Sequence, residues 1–152
     1  MQDRIIEHMI NTIKDEWILN GHSLSGSFED SLEGVVEETE DKTIISIYGN
    51  EYGHYMNKGV EAQRIPYTRR NRGQGQGGTS KYLTGLINYV RMRMGISDIK
   101  EATGIAFAIA EKHKRDGILG SGFLDDAIEK MEVDLDVMIG DYIEDKALKK
   151  LE

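Results

Sequence analysis

The chain has 152 residues, 39% apolar and 30% charged, with no cysteine and a formal net charge of −8. The expectation is one folded domain over residues 1–152, built around one core. Disulfides and thiolate metal centres are excluded, which fits a reducing cytoplasm, and no apolar run reaches the ~18 residues that would suggest a membrane span.

Ile5, Ile6, Met9, Ile10, Ile13 and Trp17 recur at three- and four-residue spacing and predict an amphipathic first helix, with Gly21 as its stop. Acids interrupt this stretch, so it does not read as a secretory leader. Phe28, Leu32 and Val36 lie an even number of residues apart, as do Ile45 and Ile47, and predict an antiparallel hairpin. Its acids fall at the tip and on the outer face. The spacing of Phe28 and Leu32 also suits a helical turn before the first strand. Tyr52, Tyr55 and Met56 belong to a short helix or a further strand. Arg64-Ile65-Pro66-Tyr67 is expected to be extended, because the residue before proline avoids the helical region.

Residues 68–80, TRRNRGQGQGGTS, form a basic, glycine-rich loop without a large apolar side chain. Helices resume with Tyr82, Leu83, Leu86, Ile87, Tyr89, Val90 and Met94, for which Ser80 is a candidate N-cap. A further helix begins near Ser97-Asp98, buries Ala102, Ile105, Ala106, Ile109 and Ala110, and ends at Gly117. Leu124, Ala127, Ile128, Met131, Leu135, Met138, Ile139 and Tyr142 then predict one continuous inward stripe on a long terminal helix starting near Phe123.

Catalytic patterns are missing. Gly73-Gln74-Gly75-Gln76-Gly77-Gly78 matches a dinucleotide fingerprint in letters only, since no strand precedes it. His8, His22, His54 and His113 show no metal-ligand spacing, and no serine sits in a nucleophile elbow. Asp134 and Asp136 do not continue into a calcium loop, because Met138 and Ile139 occupy positions that such a loop needs for ligand and glycine. The expectation is therefore no enzyme, no catalytic or metal-binding residues and no cofactor.

Charge is distributed unevenly. Residues 24–57 hold 8 acidic and 1 basic side chains, whereas residues 58–93 hold 8 basic and 1 acidic. Arg64, Arg69, Arg70 and Arg72, with Tyr52 and Tyr55, are the candidate protein-docking residues, since arginine and tyrosine are enriched at interfaces. The same arginines suit a nucleic-acid-binding accessory protein. That reading is less favoured in an acidic chain without a recognised DNA- or RNA-binding motif, and a steep loss of affinity with salt would identify it.

Three stretches carry a resemblance. They are Leu24-Ser25-Gly26-Ser27-Phe28, then Tyr48-Gly49 with Tyr52-Gly53-His54-Tyr55-Met56-Asn57-Lys58-Gly59, then Gly117-Ile118-Leu119-Gly120-Ser121-Gly122-Phe123-Leu124-Asp125-Asp126-Ala127. In order and spacing, over roughly residues 3–145, they resemble the tail-completion and head–tail joining (minor tail component) proteins of long-tailed bacteriophages. The family's middle motif often has Glu-Phe-Gly where this chain has Asn57-Lys58-Gly59. The resemblance implies a structural virion protein of the neck, assembled in the host cytoplasm. It would form a homo-oligomeric ring that stacks on the connector or the tail tube, with no catalytic residue to carry over. A tail-terminator ring capping the tube is the alternative position. The expected fold is α+β: a small antiparallel sheet packed by the N-terminal helix and the long C-terminal helix, with two additional helices and the basic loop.

Overall fold

A computed structural model describes residues 1–23, 25–67 and 81–151. The predicted loop at 68–80, with Arg69, Arg70, Arg72 and the candidate cap Ser80, lies outside the described residues. In chain order the elements are α1 (Gln2–Leu19), α2 (Ser27–Asp30), β1 (Glu33–Glu38), β2 (Thr43–Tyr48), α3 (Tyr52–Lys58) and β3 (Gly59–Val60). A 3-10 turn (Ala62–Arg64), α4 (Lys81–Arg93), α5 (Ile99–Asp116), β4 (Ile118–Leu119) and α6 (Phe123–Leu151) follow. The fold is α+β, and the chain divides into two compact units: Met1–Lys58 with Ser121–Glu152, and Gly59–Gly120.

In the first unit α1 and α6 run antiparallel. Trp17 meets Phe123 edge-on at 5.0 Å, Glu16 pairs with Lys130, and Gln2 Nε2 donates to the Tyr142 hydroxyl at 2.8 Å. His8 Nε2 lies 3.5 Å from Asp134 Oδ2, within ion-pair range but long for a hydrogen bond. Glu16 is buried among apolar neighbours, and its carboxylate holds the Lys130 ammonium above its ordinary range. The core gathers Ile13, Trp17, Phe28, Phe123, Ala127 and Met131. The hairpin packs beside it, with β1 and β2 in register from Glu33↔Tyr48 to Glu38↔Thr43. At its tip the Thr39 amide donates to the Lys42 carbonyl at 2.8 Å.

Two expectations change in this unit. Phe28 lies in the helical turn α2, the alternative that its spacing allowed, and the strand begins only at Glu33. Gly26, at φ 78, turns the chain so that Phe28 stacks on Trp17 at 4.1 Å, which an extended entry would not reach. On α6 the inward residues are Phe123, Ala127 and Met131, with Leu124 and Leu135 partly buried. Ile128 and Ile139 point outward instead, 60% and 42% exposed. The helix is apolar on more than one face, so spacing alone does not identify the buried stripe.

In the second unit α4 and α5 form a helical hairpin. Val90 packs with Ala102 and Ala106, and the small methyl groups let the two helices approach closely. Asp98 caps α5 by accepting from the Lys100 amide at 3.1 Å. Ile65 and Tyr67 are buried in a cluster with Ala110. Arg64 is not extended as expected; it closes the 3-10 turn, and extended backbone begins at Ile65. Proline restrains only its immediate predecessor, which is why the extended conformation starts one residue later.

Two tyrosines of this unit bind α5 through titratable groups. Tyr67 Oη donates to Glu111 at 3.2 Å, and the Tyr82 hydroxyl lies 2.7 Å from His113 Nδ1. Burial, with a smaller contribution from Lys112, holds His113 below its ordinary 6.5. The unfolded chain therefore binds a proton on acidification before the folded chain does. His113's contribution is complete above the unfolded value and declines as pH falls below it toward the depressed folded value. Between about pH 7 and pH 5 the wild type should lose more thermal stability than His113→Gln, whose side chain does not titrate there. Parallel melting profiles for the two proteins would refute this.

Candidate assembly surfaces

Residues of the resembling stretches that lie in the first unit help hold its core in place. Gly53 lets α3 lie on the core: a Cβ there would stand 2.3 Å from Cε2 of the buried Phe28 ring. Asn57, buried at the end of α3, caps α6, its Oδ1 accepting from the Leu124 amide at 2.8 Å. Its backbone carbonyl accepts from Gly122 at 3.1 Å. Asparagine at the motif position that often holds glutamate in the resembled family thus serves here as a helix cap.

That seating turns aromatic side chains outward. Tyr52 and Tyr55 on α3 are 54% and 37% exposed, and Tyr48 at the end of β2 is 57% exposed. Tyr52 also meets Trp17 edge-on at 5.8 Å, so its ring is braced while much of it faces water. The predicted docking residues are therefore distributed: Tyr52 and Tyr55 lie on the first unit, Arg64 is exposed on the second, and Arg69, Arg70 and Arg72 fall outside the described residues.

Dividing the chain into units sharpens the charge contrast. The first unit carries 22 acidic and 8 basic residues, net −14, and the second 5 acidic and 11 basic, net +6. Within α6, Asp125–Asp145 holds 9 acids and the single base Lys130. Glu38 at the hairpin end accepts from Tyr142 Oη at 2.7 Å and from Lys146 Nζ at 3.2 Å. These hydrogen bonds and the Lys146 charge hold the Glu38 carboxyl below its ordinary range.

Among the described residues one serine–histidine pair is present. His22 Nε2 lies 2.7 Å from Ser121 Oγ, but Ser121 Oγ donates to the Met56 carbonyl at 3.1 Å. His22 packs on Trp17 and Phe123, at 4.8 and 5.7 Å. The pair, with the Met56 carbonyl, braces the turn into α6. Among the described residues no group of three His, Asp or Glu side chains is placed to hold a metal ion, and no helix is long and apolar enough to cross a membrane.

The sequence reading missed the outer face of α6. Val133, Val137, Leu148 and Leu151 are 72%, 62%, 56% and 84% exposed. With Gly140 and Glu144 between them, they recur at four- and three-residue steps, a signal present in the sequence but overshadowed by the inward stripe. Scans of the chain against family models, curated proteins and solved structures return no match.

Proposed function

We propose that this chain is a structural protein of a tailed bacteriophage particle, placed at the head–tail junction. There it forms a ring that completes the tail or joins it to the connector, and it carries out no catalysis. The observation that carries the reading is the opposite charge of the two units, net −14 and net +6, on one chain whose first unit also presents the exposed Tyr48, Tyr52 and Tyr55. A head-to-tail ring brings unlike surfaces of neighbouring copies together at every interface, so a chain whose two units carry opposite charge suits closed heterologous assembly. The resembling stretches support the same placement, because their residues seat α3 and start α6, and α3 in turn presents Tyr52 and Tyr55.

The partners of this reading are further copies of the chain, the connector on the head side and the tail tube. Arg69, Arg70 and Arg72 would meet acidic groups of a neighbouring copy or a stacked ring. Reversing all three to glutamate should block the joining of heads to tails through like-charge repulsion while leaving the melting temperature unchanged. Complementation of a phage lacking the protein measures this. Separate heads and tails in the micrographs are the expected result, and infectious particles at wild-type yield would overturn it.

A further inference from the structure

We infer that a second copy of this chain covers the outer face of α6, and that it does so with the outer face of its own α4. The inference rests on the ring proposed above and names the surfaces that would join neighbouring copies.

Three observations converge on these two faces. The first is apolar exposure. Val133, Val137, Leu148 and Leu151 form a ridge on α6 directed away from the α1 contact, and Tyr89 and Met92 stand exposed on α4. Both are mixed surfaces that combine exposed apolar and charged side chains, Glu144 standing on the α6 ridge itself. The second is charge. Exposed Asp136 and Asp141 flank the α6 ridge, and exposed Arg91 and Arg93 flank the α4 ridge on its two sides. Each apolar ridge thus carries a rim of opposite sign to the other, which favours the unlike pairing over α4–α4 or α6–α6 contacts.

The third observation is glycine. Gly140 lies on the α6 ridge between Val137 and Glu144, and Gly85 lies on the α4 face one turn before Tyr89. Mid-helix glycine lowers helix stability relative to alanine. Among the described residues neither is required by packing, since an added Cβ would meet nothing within 4 Å at either position. On these two faces a glycine leaves room for another backbone to come close from outside. The shallow groove of about 330 Å³ lined by Asn88, Arg91, Met92, Gly95, Ile96 and Ser97 adds a concave site at the end of α4.

The test is sedimentation of the full-length protein over a range of concentrations, with thermal melting as the control for folding. The wild type should self-associate, more weakly at high salt. Arg91→Glu, and separately Asp136→Lys with Asp141→Lys, should each weaken association at normal melting temperature. All three changes in one chain should restore association. Gly85→Ala and Gly140→Ala should each raise the monomer's melting temperature by roughly 2–4 °C through better helix propensity. They should nonetheless weaken association by about tenfold or more through the lost close approach. The last pair separates this interface from mere surface charge, because folding and assembly move in opposite directions.

The inference is overturned by a wild type that stays monomeric up to about 1 mM, the weak end of specific association. It is equally overturned by self-association that neither charge reversal nor the alanines alter. Either result leaves the neck role standing if the protein is still required to join heads to tails. Normal joining in its absence would instead remove the neck role, whatever sedimentation shows.

Discussion

Phe123→Ala is expected to destabilise the chain by ~3–5 kcal/mol, the range for emptying an aromatic site in a closed core. Phe123 is fully buried at the first residue of α6, where three separate elements meet. Its ring stands edge-on to Trp17 at 5.0 Å and to Phe28 at 5.7 Å, and His22 packs on it from the turn after α1. The site has little freedom to collapse, because each neighbour is held elsewhere. Trp17 is fixed on α1, Phe28 by the turn at Gly26, and the start of α6 by the Asn57 cap on the Leu124 amide. The cavity term therefore adds to the transfer term. A loss of that size is a large share of the roughly 5–15 kcal/mol that a domain has in total, so the variant should show its transition at much lower urea. Phe123→Leu, which keeps most of the volume, should fall between the two. Equal midpoints for wild type and Phe123→Ala would mean that the aromatic cluster is not the core of this unit.

What the sequence made legible follows from how one-sided each element is. α1 carries a single apolar stripe and stops beside Gly21, which adopts φ 73, so both its face and its end are read from spacing and glycine alone. α5 is as clear, with Ala102, Ala106 and Ala110 buried and Gly117 at its end. Phe28, Leu32 and Val36 are ambiguous, because steps of four satisfy a strand and a helical turn alike; the aromatic cluster decides, and it is assembled from residues far apart in the chain. On α6 the ambiguity is of another kind. Apolar residues lie on the face toward α1 and on the face away from it, so Ile128 and Ile139 fit the stripe by number and still face solvent. What selects the buried face is α1, through Glu16 with Lys130 and Gln2 with Tyr142. The Asn57 cap joins residues 67 positions apart, which no local pattern announces. Among the candidate docking residues, Tyr52 and Tyr55 were legible as amphipathic side chains on a short segment, whereas the conformation at Arg64 follows from a 3-10 turn that its neighbours do not signal.

Gly59→Ala is the other substitution with a large expected effect, about 3 kcal/mol or more. It adds a left-handed backbone penalty of roughly 1–3 kcal/mol to the loss of hydrogen bonds worth about 1 kcal/mol each. Gly59 ends the middle motif and opens β3, where φ is 84. A Cβ at this position would lie 2.3 Å from the Ile118 carbonyl oxygen and 2.6 Å from the Gly120 amide nitrogen. These are backbone atoms, so no side chain can rotate away, and relief requires β4 to move off β3. Gly117 meets the same strand pair from the other side, its own Cβ position 2.6 Å from the Val60 carbonyl oxygen. The two-residue ladder, Gly59 opposite Leu119 and Val60 opposite Ile118, closes the unit where the chain enters and leaves it. Amide hydrogen exchange should therefore accelerate at Val60 and Leu119 before it changes in α1. Asparagine separates the two causes, since it tolerates positive φ better than alanine but carries the same Cβ. If close approach dominates, Gly59→Asn is nearly as damaging as Gly59→Ala. If backbone strain dominates, asparagine recovers about 1 kcal/mol or more of the loss. Wild-type stability for both variants would show that the β3–β4 pair does not hold this unit closed.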